Sequence, residues 1–211
     1  MSDVRTGLAR FYPIVPDCTW LERIAPLGIG CVQLRIKDQP SDVLVREISR
    51  ALAITARHGV QLIVNDYWRE AIAAGADYIH LGQEDLAAAD IAAIRAAGAR
   101  LGVSTHDEAE LATALAAKPD YVALGPVYET KLKAMKWAPQ GLERVAAWKA
   151  KIGSLPLVAI GGMTPDRASL VTAAGADSIA VVTDFLNHPA PEERIKAWID
   201  WAASSVALAR R

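Results

Sequence analysis

Cysteine is scarce in this chain: Cys18 and Cys31 are the only two among 211 residues. They stand in no metal-ligand spacing and offer no disulfide framework, which fits a reducing cytoplasm. Charge excess is also missing, with 23 Lys and Arg against 24 Asp and Glu. No global field then draws the protein to nucleic acid or to a membrane surface, so neither partner is expected and any anion site must be local. No apolar run approaches the ~20 residues of a membrane span, and Met1–Arg5 is not followed by an apolar signal core, so a soluble, cytoplasmic protein is expected. No Gly/Ser linker or low-complexity tract divides the chain, which makes residues 1–211 a single domain. Nucleophile–base pairs are absent too: neither the cysteines nor His80 and His106 have the partner pattern of covalent catalysis.

What is present is a rhythm. Short apolar runs recur at Phe11–Val15, Gly30–Leu34, Gln61–Val64, Tyr78–Leu81, Arg100–Val103, Tyr121–Leu124, Leu157–Ile160 and Ser178–Val182, with helical spacing of Ala, Leu, Arg and Glu between them. Runs apolar on both faces suit a parallel sheet covered by helices, and eight such units predict an α/β fold of the (β/α)8 TIM-barrel type. Gly75-Ala76-Asp77 and Gly175-Ala176-Asp177 each end a helix and enter a strand, as do Gly59 and Gly98 elsewhere. The segment from Gly125 to about Pro139 is long for a barrel loop, and such loops are usually functional or mobile.

Active sites of these barrels lie just past the strands' carboxyl ends. Strand two delivers Gln33, Arg35 and Lys37, which alternation sets on one face, with Leu34 and Ile36 on the other. An amide and two cations aimed together suit a phosphate, although a solvated edge would look the same. Asn65-Asp66, Gln83-Glu84-Asp85 and Ser104-Thr105-His106 follow the next three strands. Asp66 and Asp85, from adjacent strand ends, suit Mg2+ shared with a diphosphate, or else each caps the helix behind it. Past the sixth strand come Thr130, Lys131, Lys133 and Lys136. Gly161-Gly162 and Thr183-Asp184 follow the last two strands; bare glycines admit backbone N–H groups to an anion, or simply make a turn. His80, inside a strand, reads as a satisfied core residue rather than a base.

These segments resemble the thiamine phosphate synthase family over almost the whole chain. The resemblance is carried by Val32–Lys37, Val64-Asn65-Asp66, His80–Asp85, Gly102-Val103-Ser104, Gly125–Tyr128 through Thr130 to Lys133, Ala138–Gly141 and Ala159–Gly162, in that order. It implies a transferase that joins hydroxymethylpyrimidine diphosphate to hydroxyethylthiazole phosphate, giving thiamine phosphate and pyrophosphate with Mg2+. On that resemblance Gln33, Leu34, Arg35, Ile36, Lys37 and Asn65 hold the pyrimidine diphosphate with Lys133, and Ser104 contacts the ring. Asp66 and Asp85 bind Mg2+, while Thr130, Lys131, Leu132, Gly162, Val182 and Thr183 hold the thiazole phosphate. Arg35, Lys37, Ser104 and Lys133 are the catalytic set, and the reaction is a dissociative displacement.

Two departures fall on the thiazole side. Leu132 stands where the family's Thr-x-Thr-Lys has its second threonine, and Val182-Thr183-Asp184-Phe185 replaces Val-Ser-Ala-Ile. A carboxylate beside a phosphate is costly, so Asp184 is expected to face away. The rivals are a thiazole tautomerase-like isomerase and a non-catalytic regulatory protein that binds thiamine precursors; neither needs the full cation and acid set. A homo-oligomer stays open.

Overall fold

The computed structural model describes residues 8–130 and 137–208. The doubly apolar runs become eight parallel strands: β1 (Phe11–Val15), β2 (Cys31–Leu34), β3 (Gln61–Asn65), β4 (Tyr78–Leu81), β5 (Arg100–Thr105), β6 (Tyr121–Leu124), β7 (Leu157–Ile160) and β8 (Ser178–Val181). Each pairs with the next, and β8 returns to β1 through Phe11 opposite Ile179, so the barrel is closed. Closure leaves no strand edge, which answers the solvated-edge alternative for β2: it lies between β1 and β3. Between the strands run α1 (Cys18–Ile24), α2 (Ser41–His58), α3 (Trp68–Ala74), α4 (Gln83–Ala88), α5 (Ile91–Ala96), α6 (Glu108–Ala116), α7 (Gly141–Ile152) and α8 (Pro165–Ala173), and α9 (Thr183–Leu186) and α10 (Pro191–Leu208) follow β8.

Alternation along the strands divides the apolar side chains into two cores. Outward-facing Val32, Leu34, Leu62, Val64, Ile79, Leu81 and Leu101 pack with Leu44, Ile48 and Ile94 of the helices. Tyr12, Cys31, Ile63, Tyr78, Tyr121, Ala123, Val158 and Ala180 fill the barrel itself. Helices stop where glycine permits a left-handed residue: Gly59 and Gly75 are C-caps with φ of 65° and 84°. The two Gly-Ala-Asp segments also tie the barrel's lower face. Asp77 accepts from Gln61 and Arg100, and Asp177 accepts from Lys149 and the Leu157 amide.

The β2 ladder ends at Leu34, paired with Val15, and the Arg35 amide still donates to the Val15 carbonyl at 2.9 Å. Ile36 packs with Leu34 against the sheet–helix core, as alternation predicts, while Arg35 and Lys37 border a cavity past the strand's carboxyl end. Leu34 itself is 1% exposed in the sheet–helix core. Its side chain is therefore turned away from any ligand, and only its backbone is available.

Candidate active site

The carboxyl ends of β3 and β4 bring Asp66 and Asp85 into hydrogen-bond contact with each other. Neither acid caps a helix: α3 begins after Tyr67 and α4 after Gly82, both without a side-chain cap bond. Asp66 instead sits in the left-handed region, φ 65°, which non-glycine residues adopt rarely and Asp and Asn most readily. Its amide donates to the His80 carbonyl at 2.8 Å, while its carboxylate accepts from Asn65 and from the Gly82 amide. Burial first, and then repulsion from Asp85 with their shared hydrogen bond, push the Asp66 carboxyl up to about 6; the Gly82 N–H and Arg35 act the other way. Two carboxylates forced together at a rim, with a cation nearby, are what an oxygen-seeking divalent ion relieves. Among the described residues no group of three or more His, Cys, Asp and Glu could hold a metal. An ion here would take its remaining ligands from phosphate and water, as Mg2+ prefers.

Arg35 and Lys37 lie beside a cavity of about 650 Å3 that is also lined by Ile14, Ile36 and Val182. It joins the β2 cations to the end of β8. Ser104 and Gln33 are linked to each other through the barrel interior. Gln33 Nε2 lies 2.8 Å from Tyr12 Oη, which is 3.0 Å from Tyr121 Oη; that hydroxyl is 2.7 Å from His80 Nδ1, and His80 Nε2 is 2.8 Å from Ser104 Oγ. Both His80 nitrogens are thus satisfied, in keeping with a core residue, and burial pulls the imidazole down to about 4, with Arg35 adding to the effect. His80 is neutral near pH 7.

Gly161-Gly162 carries a packing constraint. A Cβ on Gly162 would stand 2.5 Å from the Glu129 carbonyl, and one on Gly161 would stand 2.6 Å from Pro126. The chain leaving β6 crosses these glycines, with the Tyr128 amide bonded to Gly161. Gly162 therefore lies against the segment that leads to Thr130. Thr164 then caps α8 by accepting from the Arg167 amide. Lys131, Leu132, Lys133 and Lys136 fall outside the described residues.

At the end of β8, Asp184 is fully engaged away from the mouth. Its oxygens accept from Arg194 Nε at 2.7 Å, Arg194 Nη2 at 2.9 Å and Trp198 Nε1 at 2.7 Å, all on α10. Trp198 in turn stacks on Phe11, so this carboxylate fastens the last helix to the barrel. We expect Asp184→Ala to cost about 1–3 kcal/mol in urea unfolding, since it strands three donors. It should change KM for a phosphate-bearing substrate by less than about tenfold, or ~1.4 kcal/mol. A larger gain in affinity would place the carboxylate in the site.

The sequence reading passed over Tyr12 and Tyr121, whose inward register in β1 and β6 is the signal that would have found them. It also missed how His106 is held: Nδ1 lies 2.7 Å from Glu110, and the ring stacks at 5.6 Å on Trp137, where the described chain resumes after the β6 loop.

The thiamine monophosphate synthase family model matches residues 11–185. A thiamine-phosphate synthase of Rhizobium etli is 62% identical over 90% of this chain and 93% of its own length. One of Citrobacter koseri is 46% identical over 97% and 92%. Among solved structures, the thiamine phosphate pyrophosphorylase from Pyrococcus furiosus superposes with a TM-score of 0.81 over 96% of this chain and 98% of that one; at 23% identity it speaks for the fold. With a match that spans every strand and the acid, cation and serine positions at their carboxyl ends, the chain belongs to the thiamine monophosphate synthase family.

Proposed function

We propose that this transferase joins an aminopyrimidine methyl diphosphate to hydroxyethylthiazole phosphate, releasing pyrophosphate and forming thiamine phosphate. The observation that carries the reading is the contact between Asp66 and Asp85 beside Arg35, an anion-and-cation pairing suited to a metal diphosphate and to little else. Arg35 and Lys37 hold the diphosphate, joined by Lys133. Gln33, Asn65 and Ser104 orient the pyrimidine. Gly162, Val182 and Thr183, with Thr130, Lys131 and Leu132, receive the thiazole phosphate, and Thr183 keeps the hydroxyl that serine would supply. Asp66 and Asp85 would hold Mg2+, which supplies neutralisation of the charge that develops on the departing diphosphate.

The chemistry then needs no protein nucleophile. The C–O bond to the diphosphate breaks and its electron pair leaves with pyrophosphate, while the electron-rich ring bears the positive charge on the methylene carbon. The thiazole nitrogen donates its lone pair to that carbon and closes the C–N bond. Arg35 and Lys37 stabilise the leaving charge, and the two binding regions set the nitrogen against the carbon, so the enzyme contributes electrostatics and placement. A neutral His80 with both nitrogens bonded within the barrel agrees with a step that transfers no proton to the protein. Incubation with both substrates and Mg2+ is expected to give thiamine phosphate and pyrophosphate in equal amounts, and chelation should stop both. Diphosphate release without thiamine phosphate would remove the thiazole half of the reading.

Among the described residues no helix is long and apolar enough to cross a membrane.

A further inference from the structure

We infer that the polar chain through the barrel runs in one direction, and that Tyr12, Tyr121 and His80 are positioning residues that make Ser104 a donor and Gln33 an acceptor toward the ring in the mouth. The inference rests on the pyrimidine reading of that site, and it adds what decides between an amino and an oxo ring.

The direction follows from one end. Gln33 Nε2 faces Tyr12 Oη at 2.8 Å, and an amide nitrogen only donates. Tyr12 Oη then has one proton to place, and because the residue is buried and its other contact is the Gln33 donor, Tyr121 Oη at 3.0 Å is the acceptor left for it. Tyr121, now an acceptor on that side, donates to His80 Nδ1 at 2.7 Å. A neutral imidazole that accepts at Nδ1 carries its proton on Nε2. That N–H points at Ser104 Oγ, 2.8 Å away, and donates to it. The Ser104 hydroxyl proton is then left for a ligand, and Ser104, unlike the rest of the chain, is partly exposed at the rim. At the opposite end the Gln33 carbonyl oxygen is left to accept.

The three inner members, Tyr12, Tyr121 and His80, are 1%, 0% and 6% exposed, and Gln33 at the opposite end is 3% exposed, so bulk water does not scramble the order. The rings are held as well: His80 stacks on Tyr121 at 5.5 Å, and Tyr12 meets Tyr121 edge-on at 6.2 Å. A donor at Ser104 with an acceptor at Gln33 suits a ring nitrogen together with an exocyclic amine. The reversed chain would present Gln33 N–H and a Ser104 lone pair, which suit an oxo group and a ring N–H. A buried chain of this kind rejects the wrong pattern because it would leave its own groups unpaired.

Two measurements test this. In the wild-type enzyme, 15N spectra of labelled histidine, with the His80 signals assigned by their loss in His80→Asn, are expected to show a protonated Nε2 and a bare Nδ1. A protonated Nδ1 overturns the proposal, whatever the enzyme's substrate proves to be. Binding of the 4-amino pyrimidine diphosphate is then compared with that of its 4-oxo analogue, in wild type and in Tyr121→Phe. The wild type should prefer the amino ring, and Tyr121→Phe should erode that preference by about tenfold, because cutting the chain frees both ends to turn. A purely structural role would weaken both analogues equally and leave the ratio unchanged, which also overturns the proposal. If neither pyrimidine binds while Nε2 is protonated, the substrate reading fails and the direction of the chain stands.

Discussion

Asp66→Asn is expected to lower turnover by roughly a hundredfold to a thousandfold while leaving the protein as stable as the wild type or more so. The two halves have one cause. The Asp66 carboxyl is held up to about 6 by burial and by Asp85, which means that its ionised form is disfavoured in the metal-free fold. Asparagine keeps an oxygen for the Gly82 N–H and tolerates the left-handed φ of 65°, yet removes the charge. The repulsion disappears, and so does half of the proposed cation site.

The pH dependence provides a further check. Asp66 titrates at about 6 in the fold against 3.8 ordinarily, so as pH falls from 6 toward 4 the folded state takes up the proton first and gains stability. The gain is roughly 2 kcal/mol once solvent screening is allowed for. His80 has the opposite sign. Its value is about 4 in the fold against 6.5 ordinarily, so the unfolded chain is protonated first and stability is lost over the same window, by about 3 kcal/mol. In chelator the wild type should therefore lose little stability from these groups between pH 6.5 and 4, whereas Asp66→Asn should show the His80 loss uncovered. Urea unfolding at several pH values, with steady-state turnover at pH 7 in Mg2+, measures both. A variant within tenfold of wild-type turnover would remove the cation assignment, and an inactive variant that unfolds much earlier in urea would make Asp66 a structural residue.

The barrel was legible because its strands are apolar on both faces, so that Leu62-Ile63-Val64 or Tyr121-Val122-Ala123 reads as a strand before any helix is considered. Rim positions follow from the strand ends, and so Arg35, Asp66, Asp85 and Ser104 could be named in advance. Less visible was anything that depends on where a chain turns or crosses. Leu34 was placed with the ligand set on the family resemblance, yet it is the last ladder residue of β2 and its side chain faces the helices. Gly161-Gly162 looked like an anion turn, and the loop crossing at Glu129 is a contact between segments about thirty residues apart that no local pattern announces. Tyr12 and Tyr121 read as ordinary packing, since a strand's sequence does not reveal which inward hydroxyls meet across a barrel. The split of the β4–β5 connection into α4 and α5 was passed over, although Asp90 marks it by capping α5 through the Ala93 amide.

Gly102→Ala is expected to be the most damaging single methyl in the barrel. Gly102 and Tyr121 are register partners on β5 and β6, and the glycine vacates the space that the phenol ring enters. A Cβ at Gly102 would stand 2.1 Å from Tyr121 Cζ and 2.6 Å from its hydroxyl. The ring has nowhere to go: Tyr78 packs on it edge-on at 5.7 Å, His80 stacks on it, and it is 0% exposed. Overpacking of this kind costs ~1–3 kcal/mol. Displacing the hydroxyl from Tyr12 and His80 adds a comparable amount for buried groups left unpaired, so the total loss should reach about 3–5 kcal/mol. Turnover should fall too, because Ser104 loses the support it receives through His80. Tyr121→Leu alone is destabilising, but it clears the volume that the new methyl needs. The double variant Gly102→Ala/Tyr121→Leu is therefore expected to be more stable than the sum of the two single losses by about 2 kcal/mol, beyond the usual error of additivity. Urea unfolding of the four proteins reads that coupling directly. Strictly additive losses would show that the ring yields to the methyl, and that Gly102 is required for some reason other than the room it makes for Tyr121.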